Sequence, residues 1–193
     1  MTSRKQEKFD LILEAALKVI AENGFHGSQI SKIAKEAGIA DGTVYLYFKN
    51  KEDILISLFQ QRLGDLVSMF NNSVQEANSA DEALRKICEI HFTELEQNVN
   101  LAYVTQIELR QSSLELRKAI GLSVKPYIQL IEKILIQGVQ EGSFRPDLDI
   151  KLTRLLLFGG MDEVVNSWLI SGRKYSLTAQ IDKTVEFFLK GLK

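Results

Sequence analysis

Cysteine, proline and long apolar runs are all scarce in this chain of 193 residues. A single cysteine, Cys88, excludes an internal disulfide and fits a reducing compartment. Charge-free stretches such as 98–107 are far shorter than the roughly 20 residues that a membrane span needs. The N-terminus mixes charged with apolar residues and lacks the pattern of a signal peptide. We therefore expect a cytoplasmic protein with no membrane segment.

An excess of positive charge is also missing, because the formal net charge is −1 at pH 7. Residues 1–51 carry eight basic and six acidic side chains, and the remainder carries 16 and 19. This weak asymmetry gives no general support for nucleic-acid binding. If residues 1–51 bind DNA, the affinity must come from a few lysine or arginine side chains at specific positions and from the pairing of two copies of the protein.

Helical periodicity runs through the whole chain, and no alternating pattern of strands or internal repeat is present. With only two prolines and 12 glycines, helix is the favoured structure. Asn50, Ser79 or Asp81, Asp149 and Thr178 suit helix starts, and Pro126 kinks or begins a helix. The pattern predicts an all-α fold of about nine helices, over about 5–23, 28–37, 41–48, 51–77, 79–95, 101–111, 116–140, 149–171 and 178–192.

Residues 28–53 are the most informative segment, because they predict two short helices separated by a tight turn. Ser28 and Ser31 suit the start of the first helix, where a hydroxyl can accept from unpaired backbone N–H groups. Gly38 supplies the left-handed residue that ends it. The second helix, roughly 41–48, presents small, hydroxyl and aromatic groups. A unit of this kind inserts its second helix into the major groove of DNA.

The run NGFHGSQISKIAKEAGIADGTVYLYFKNKEDIL at 23–55 resembles the N-terminal domain of TetR-family transcriptional repressors. The shared pattern has an NGF turn, an AGI turn, then GT-hydrophobic-Y, an aromatic, F, and a K-x-K-E/D start of the fourth helix. Within this run, the segment ADGTVYLYFKNKEDIL at 40–55 is similar to the corresponding segment of acyl-CoA-responsive repressors of fatty-acid degradation in Gram-positive bacteria. The resemblance implies a three-helix DNA-binding head at 1–50 and a ligand-binding and dimerisation domain at 51–193, with the boundary inside the helix that starts at Lys51.

The resemblance implies a set of DNA contacts whose chemistry fits. Donors at the start of a helix suit a phosphate, a glycine lets the recognition helix approach closely, and a threonine can contact a base edge or a thymine methyl group. Tyrosine hydroxyls and lysine ammonium groups suit phosphates, although the tyrosines could instead be core residues. Phe48 is expected to pack inside. The predicted DNA-binding residues are Lys5, Ser28, Gln29, Gly42, Thr43, Tyr45, Tyr47 and Lys51.

A single recognition helix grips little DNA, so such proteins bind palindromic operators as twofold homodimers. Two apolar stripes in the last two helices are candidates for the dimer interface, unless they face the core of their own subunit. The stripes are Leu152, Leu155, Leu156, Gly159, Gly160, Val164 and Trp168, followed by Ile181, Val185, Phe188, Leu189 and Leu192.

An effector pocket is expected in the larger domain. Apolar side chains could line a tunnel for an alkyl chain, and arginine could hold a phosphate or thioester head group. Core packing or a solvated salt bridge is the alternative for each of them. The predicted ligand-binding residues are Phe92, Leu95, Tyr103, Ile107, Arg110, Leu135 and Phe158.

The function predicted from these patterns is a transcriptional repressor that a small apolar effector, long-chain acyl-CoA, releases from its operator. A repressor that responds to a drug or another lipophilic molecule is the alternative. No cofactor is expected. An enzyme is disfavoured because Cys88 and His91, three residues apart, are too few for a metal site. A protein-interaction module with a vestigial head remains open, and salt-sensitive binding to duplex DNA would exclude it.

Overall fold

The computed structural model describes residues 3–193, with side chains from Arg4 onward. Over these residues it contains nine α-helices, a short 3-10 turn and no β-strand, which confirms the all-α prediction. None of the helices in this described range has a stretch long and apolar enough to cross a membrane. The helices are α1 (Ser3–Gly27), α2 (Ile30–Glu36), α3 (Asp41–Val44), α4 (Lys51–Gln75), α5 (Ala80–Gln97), α6 (Val99–Glu108), α7 (Leu114–Glu141), α8 (Ile150–Ile170) and α9 (Ile181–Leu192).

Three of the predicted helix starts are capped by a side chain, as expected. At the start of α4, the Asn50 amide oxygen accepts a hydrogen bond from the Asp53 N–H at 2.8 Å. Ser79 accepts from the third residue of α5 at 3.2 Å, and Asp149 accepts from the third residue of α8 at 3.0 Å. These bonds satisfy backbone donors that the first helical turn leaves unpaired. Thr178 instead begins the 3-10 turn that precedes α9.

The recognition helix α3 is shorter than predicted and ends at Val44 rather than at Phe48. The N–H groups of Leu46 and Tyr47 donate to the carbonyls of Thr43 and Val44, three residues back, so the chain after Val44 forms a tighter turn instead of a regular α-helix. Pro126 does not begin a helix, since α7 starts at Leu114 and continues through it.

The described residues form two compact units. The first comprises the chain up to Gly64 together with Tyr103–Ser123, and the second comprises Asp65–Ala102 and Val124–Lys193. The predicted division at residues 50 and 51 concerns function and stays a prediction.

The first unit is built on a core from the initial helices. Phe9 stacks on Phe48 with ring centroids 4.9 Å apart, so the prediction that Phe48 packs inside is confirmed. The α1 helix is broken at Gly24, which has a φ of 67°, close to the predicted end at residue 23. Fully buried aliphatic side chains complete this core: Ile12, Leu13, Ala16, Ile33, Ala34, Val44, Ile54 and Leu55.

The second unit has its core around α5, which contacts both α8 and α9. The Phe70 ring stacks on Tyr127 with centroids 4.5 Å apart, and Phe158 meets the same tyrosine edge-on at 5.7 Å. Burial of these rings and of the α5 face supplies the apolar area that holds the unit together. The α5 face consists of Ala80, Ala83, Leu84, Ile87, Cys88, His91, Phe92 and Leu95.

Candidate DNA-binding and effector sites

The helix-turn-helix unit has the predicted tight turn. Gly38 has a φ of 65°, a conformation that glycine adopts without a steric penalty. Its N–H donates to the Lys35 carbonyl at 3.1 Å, and the Ile39 N–H donates to the Ala34 carbonyl at 3.0 Å. These bonds end α2 and reverse the chain, so that α3 begins three residues later, at Asp41.

The turn that follows α3 exposes large side chains. Tyr45 is 57% exposed and Leu46 is 76% exposed, whereas Val44 and Phe48 beside them are buried. Tyr47 is half-buried. The buried residues fix the backbone of this turn, and the exposed ones present a tyrosine hydroxyl and an apolar branch to solvent. An apolar surface of this kind on a helix-turn-helix unit is suited to contact with bases and sugars.

Gly42 lies on the same exposed surface. Apart from its chain neighbours and the backbone of its own helix, none of the described residues has a heavy atom within 4 Å of a Cβ atom added there. The fold itself therefore does not require glycine at this position. Close approach of a molecule outside the chain is the remaining physical reason for a missing side chain on α3.

Ser28 does not have the geometry expected of a phosphate contact or of a helix cap. It is fully buried, and its hydroxyl donates to the Gly24 carbonyl at 2.7 Å and to the Val19 carbonyl at 3.1 Å. Its N–H donates to the Phe25 carbonyl. The hydroxyl therefore closes the end of α1. Gln29 precedes α2 without a capping bond from its side chain.

Lys51 has a structural role in the head that the sequence did not predict. Its ammonium group donates to the Phe25 carbonyl at 2.7 Å and to the His26 carbonyl at 3.4 Å. The same nitrogen lies 4.4 Å from the centroid of the Phe25 ring. Of the other predicted DNA contacts, Gln29, Gly42 and Lys5 are exposed and Thr43 is half-buried.

The predicted effector residues are divided between the two units. In the first unit, Ile107 is 55% exposed, Tyr103 is half-buried, and the exposed Arg110 donates to the Gln106 carbonyl at 2.7 Å. In the second unit, Phe92, Leu95 and Leu135 are buried, and Phe158 is half-buried. The contact of these side chains with an effector stays a prediction.

A polar pair lies inside the second unit among these aromatic rings. The Tyr127 hydroxyl is 3.2 Å from His91 Nδ1, and both side chains are at least 95% buried. Burial lowers the pKa of His91 from 6.5 to about 4, and the charge of Asp162 opposes this shift. The imidazole is therefore neutral at pH 7. Its Nε2 atom is buried and has no hydrogen-bond partner within the part of the chain that the structure describes.

Cys88 is part of the same interior. Its thiol donates to the Met161 sulfur at 3.6 Å, and burial raises the pKa of the thiol to about 12. A thiol with so high a pKa is a poor nucleophile at neutral pH. Among the described residues, no group of three or more His, Cys, Asp or Glu side chains is placed to hold a metal. The interpretation of Cys88 and His91 as core residues is confirmed.

The two stripes predicted for dimerisation differ in exposure. On α8, Leu152, Leu155 and Leu156 are 53%, 56% and 63% exposed. On α9, most of the stripe faces its own subunit, since Val185 and Leu192 are almost fully buried. The exposed part of the predicted interface is therefore on α8.

Two surface grooves of the second unit lie away from the predicted effector residues. The larger has a volume of about 640 Å³, and side chains of both charges from α5 and α9 line it, including Arg85, Asp182 and Glu186. The smaller, of about 500 Å³, is formed by the loop after α7 and by Lys193. The charged side chains that line both grooves do not match a long apolar ligand.

Two residues of interest were not predicted from the sequence. Leu46 is an apolar residue between two tyrosines in a helix that should face DNA, which is a signal for an exposed apolar contact. Glu108 is buried, and its carboxylate accepts from the Phe25 N–H at 2.8 Å. It is the first charged residue after the uncharged stretch 98–107, which is a signal for a specific internal role.

A short support helix, a left-handed glycine turn and a recognition helix followed by an exposed tyrosine define the class of helix-turn-helix transcription regulators. The chain belongs to the tetR family of bacterial regulatory proteins, whose family model matches residues 12–58. Residues 59–191 match the C-terminal region of the YsiA-like proteins.

Similar proteins cover almost the whole chain. The fatty acid metabolism regulator protein of Bacillus subtilis is 46% identical over 98% of this chain and 97% of its own length. The transcriptional regulator FadR from Bacillus subtilis, solved in complex with stearoyl-CoA, matches 96% of this chain and all of that one with a TM-score of 0.92. The fatty acid degradation regulator FadR from Bacillus halodurans is 45% identical, with the same coverage and TM-score.

Proposed function

We propose that this protein is a transcriptional repressor of fatty-acid degradation that binds a palindromic operator as a homodimer and is released by long-chain acyl-CoA. The observation that carries the proposal is the 46% identity to the Bacillus subtilis regulator, together with the match to FadR in complex with stearoyl-CoA. The protein would act on DNA in the cytoplasm, without a cofactor and without catalysing a reaction.

The proposed DNA contacts are those that the geometry leaves accessible. Thr43 and Leu46 would contact base edges or thymine methyl groups, and Gly42 would let α3 approach the groove. Hydroxyls of Tyr45 and Tyr47, with Lys5 and Gln29, would contact phosphates. Lys51 has one ammonium proton left for a phosphate beside its two carbonyl partners. Ser28 is left out of this set.

The exposed apolar surface of α8 supports the homodimer. Leu152, Leu155 and Leu156 are spaced so that all three lie on one face of the helix. Contiguous exposed leucines on one helix face are typical of a protein interface rather than of a solvated surface. Pairing of two subunits through α8 would present two heads to the two half-sites of one operator.

A long acyl chain suits the apolar residues predicted to bind the effector. Each buried CH₂ group contributes about 0.8 kcal/mol, so affinity should increase with chain length. Arg110 is the proposed contact for a phosphate of the CoA head group. Release from DNA then requires that acyl-CoA binds better to the conformation that does not fit the operator, since only differential affinity shifts the population.

Operator binding in the presence of different effectors tests the proposal. Purified protein and a duplex selected for binding are mixed with stearoyl-CoA, a short-chain acyl-CoA, free CoA or a lipophilic drug. We expect release by stearoyl-CoA at the lowest concentration and none by free CoA. Release by the drug alone would replace the proposed effector with the alternative, and failure to bind any duplex would exclude the repressor.

A further inference from the structure

Glu108 is an acidic residue that is only 3% exposed, at the C-terminal end of α6. One carboxylate oxygen accepts from the backbone N–H of Phe25 at 2.8 Å, across 83 residues of sequence. The other accepts from the side-chain amide of Gln111. Burial of a carboxylate is costly unless hydrogen bonds replace its water, so this carboxylate is held by these two donors.

Both the backbone N–H and the backbone carbonyl of Phe25 form a hydrogen bond with a charged side chain. While Glu108 accepts from the N–H, the ammonium group of Lys51 donates to the carbonyl at 2.7 Å. Lys51 is the first residue of α4, and Phe25 itself is almost fully buried. The backbone of Phe25 is thus fixed by charged groups from α6 and from α4 in the same compact unit.

This backbone position controls the start of the helix-turn-helix. Phe25 follows the break in α1 at Gly24, and its carbonyl accepts from the Ser28 N–H at 3.2 Å. The Ser28 hydroxyl in turn bonds the Gly24 carbonyl. The support helix α2 begins two residues later, at Ile30. A shift of Phe25 would therefore shift the N-terminal end of α2.

We propose that Glu108 is a positioning residue that fixes the α1–α2 turn of the DNA-binding head and couples that turn to the effector. The coupling part rests on the proposed function, because the predicted effector contacts Tyr103 and Ile107 lie on α6 with Glu108, and Arg110 lies in the turn that follows α6. An effector that displaces the C-terminal end of α6 pulls the carboxylate from Phe25. The head then loses the contact that positions α2.

Three variants test the proposal. Glu108→Leu removes both acceptors, Glu108→Gln keeps a neutral acceptor, and Glu115→Gln changes an exposed carboxylate on α7 as a matched control. For each variant we measure operator affinity with and without saturating stearoyl-CoA, and stearoyl-CoA affinity by calorimetry. Hydrogen exchange of the Phe25 amide is followed in protein labelled with ¹⁵N-phenylalanine.

For Glu108→Leu we expect about tenfold faster Phe25 exchange, weaker operator binding, and about a tenfold smaller ratio between operator affinities without and with stearoyl-CoA. Glu108→Gln should restore part of each change, because a neutral hydrogen bond is roughly half as strong as a charged one. Glu115→Gln should behave as the wild type. If Glu108→Leu does not fold, Glu108→Gln alone tests the proposal. Phe25 exchange, operator affinity and the affinity ratio should then change in the same direction but by less.

The failure of this proposal is distinguishable from that of the proposed function. If stearoyl-CoA does not bind the wild type, the effector is wrong, and Phe25 exchange and operator affinity without effector still test the positioning role. Unchanged exchange and unchanged operator affinity in both Glu108 variants would overturn that role. Normal stearoyl-CoA binding with an unchanged affinity ratio would overturn the coupling.

Discussion

Large apolar side chains are exposed in the turn after α3, whereas polar side chains are buried in the interior of the second unit. Leu46 is 76% exposed, while the Tyr127 hydroxyl and His91 share an interior hydrogen bond. An exposed apolar side chain contributes little to stability, and a buried polar group costs stability unless hydrogen bonds replace its water contacts. The difference indicates that the head presents apolar side chains to a partner molecule, whereas the second unit encloses a polar pair in its own core.

The second unit also has an exposed apolar surface, on α8, which we expect to be covered by a second subunit. Substitutions on this surface should have the largest effect of those considered. Replacing Leu155 and Leu156 together with glutamate should give a folded monomer, since both are more than half exposed. Loss of the second head should weaken operator binding by about 100-fold or more. Sedimentation and operator titration measure the two effects. Leu114→Glu, on an exposed leucine of α7, is the control, and a monomeric variant with full operator affinity would contradict the dimer.

The polar pair predicts a pH dependence of folding. The unfolded chain binds a proton at His91 below pH 6.5, whereas the folded chain does not until about pH 4. The free energy of unfolding should therefore fall by up to about 3 kcal/mol as the pH drops from 6.5 to 4. In His91→Gln this part of the pH dependence should be absent.

Urea unfolding at several pH values measures this effect. The exposed His26 provides the control, because His26→Gln should retain the dependence of the wild type. Equal slopes of stability against pH in His91→Gln and the wild type would show that His91 is not the titrating group.

Gly42→Ala separates the requirements of the fold from those of the partner. Because the added Cβ meets no described residue within 4 Å beyond its chain neighbours and its own helix backbone, stability should be unchanged or raised by up to about 1 kcal/mol. Operator affinity should fall by about tenfold, since the methyl group projects from α3 into the groove. Gly121→Ala, at another open helical position, should change neither operator affinity nor fold. A Gly42→Ala variant with undiminished operator affinity would remove α3 from the contact surface.

Leu46→Ala should have the smallest effect, about a fivefold loss of operator affinity. The loss should be accompanied by weaker preference for thymine at one position of each half-site, because the leucine would contact the thymine methyl group. Selection of binding sequences from a random duplex pool compares the two proteins. Leu11→Ala, at an exposed leucine of α1, serves as the control. An unchanged selected sequence would mean that Leu46 does not read a base.

The head could be predicted from the sequence because its structure depends on local contacts. The left-handed turn at Gly38 and the Asn50 cap involve residues no more than five positions apart, and each has a recognisable residue type. Ser28 was misinterpreted because a serine before a helix can cap it or close the preceding one. Only the position of α1 decides between these roles, and here the hydroxyl bonds back to Val19 and Gly24.

Interior contacts could not be predicted in the same way, because they join residues far apart in sequence. Cys88 meets Met161 across 73 residues, and Glu108 meets Phe25 across 83. Helical periodicity predicts apolar helix faces, and Phe92 and Leu95 are buried. It could not distinguish residues that contact an effector from residues that only pack, since both lie on apolar faces.

The central claim is that the dimer has two conformations, of which the operator binds one more tightly and acyl-CoA binds the other more tightly. Calorimetric titration of stearoyl-CoA into the dimer, with and without saturating operator duplex, tests it most directly. The account predicts that the operator weakens stearoyl-CoA binding by the same factor by which stearoyl-CoA weakens operator binding, as thermodynamic linkage requires. Equal stearoyl-CoA affinities for the free and the operator-bound protein would contradict it.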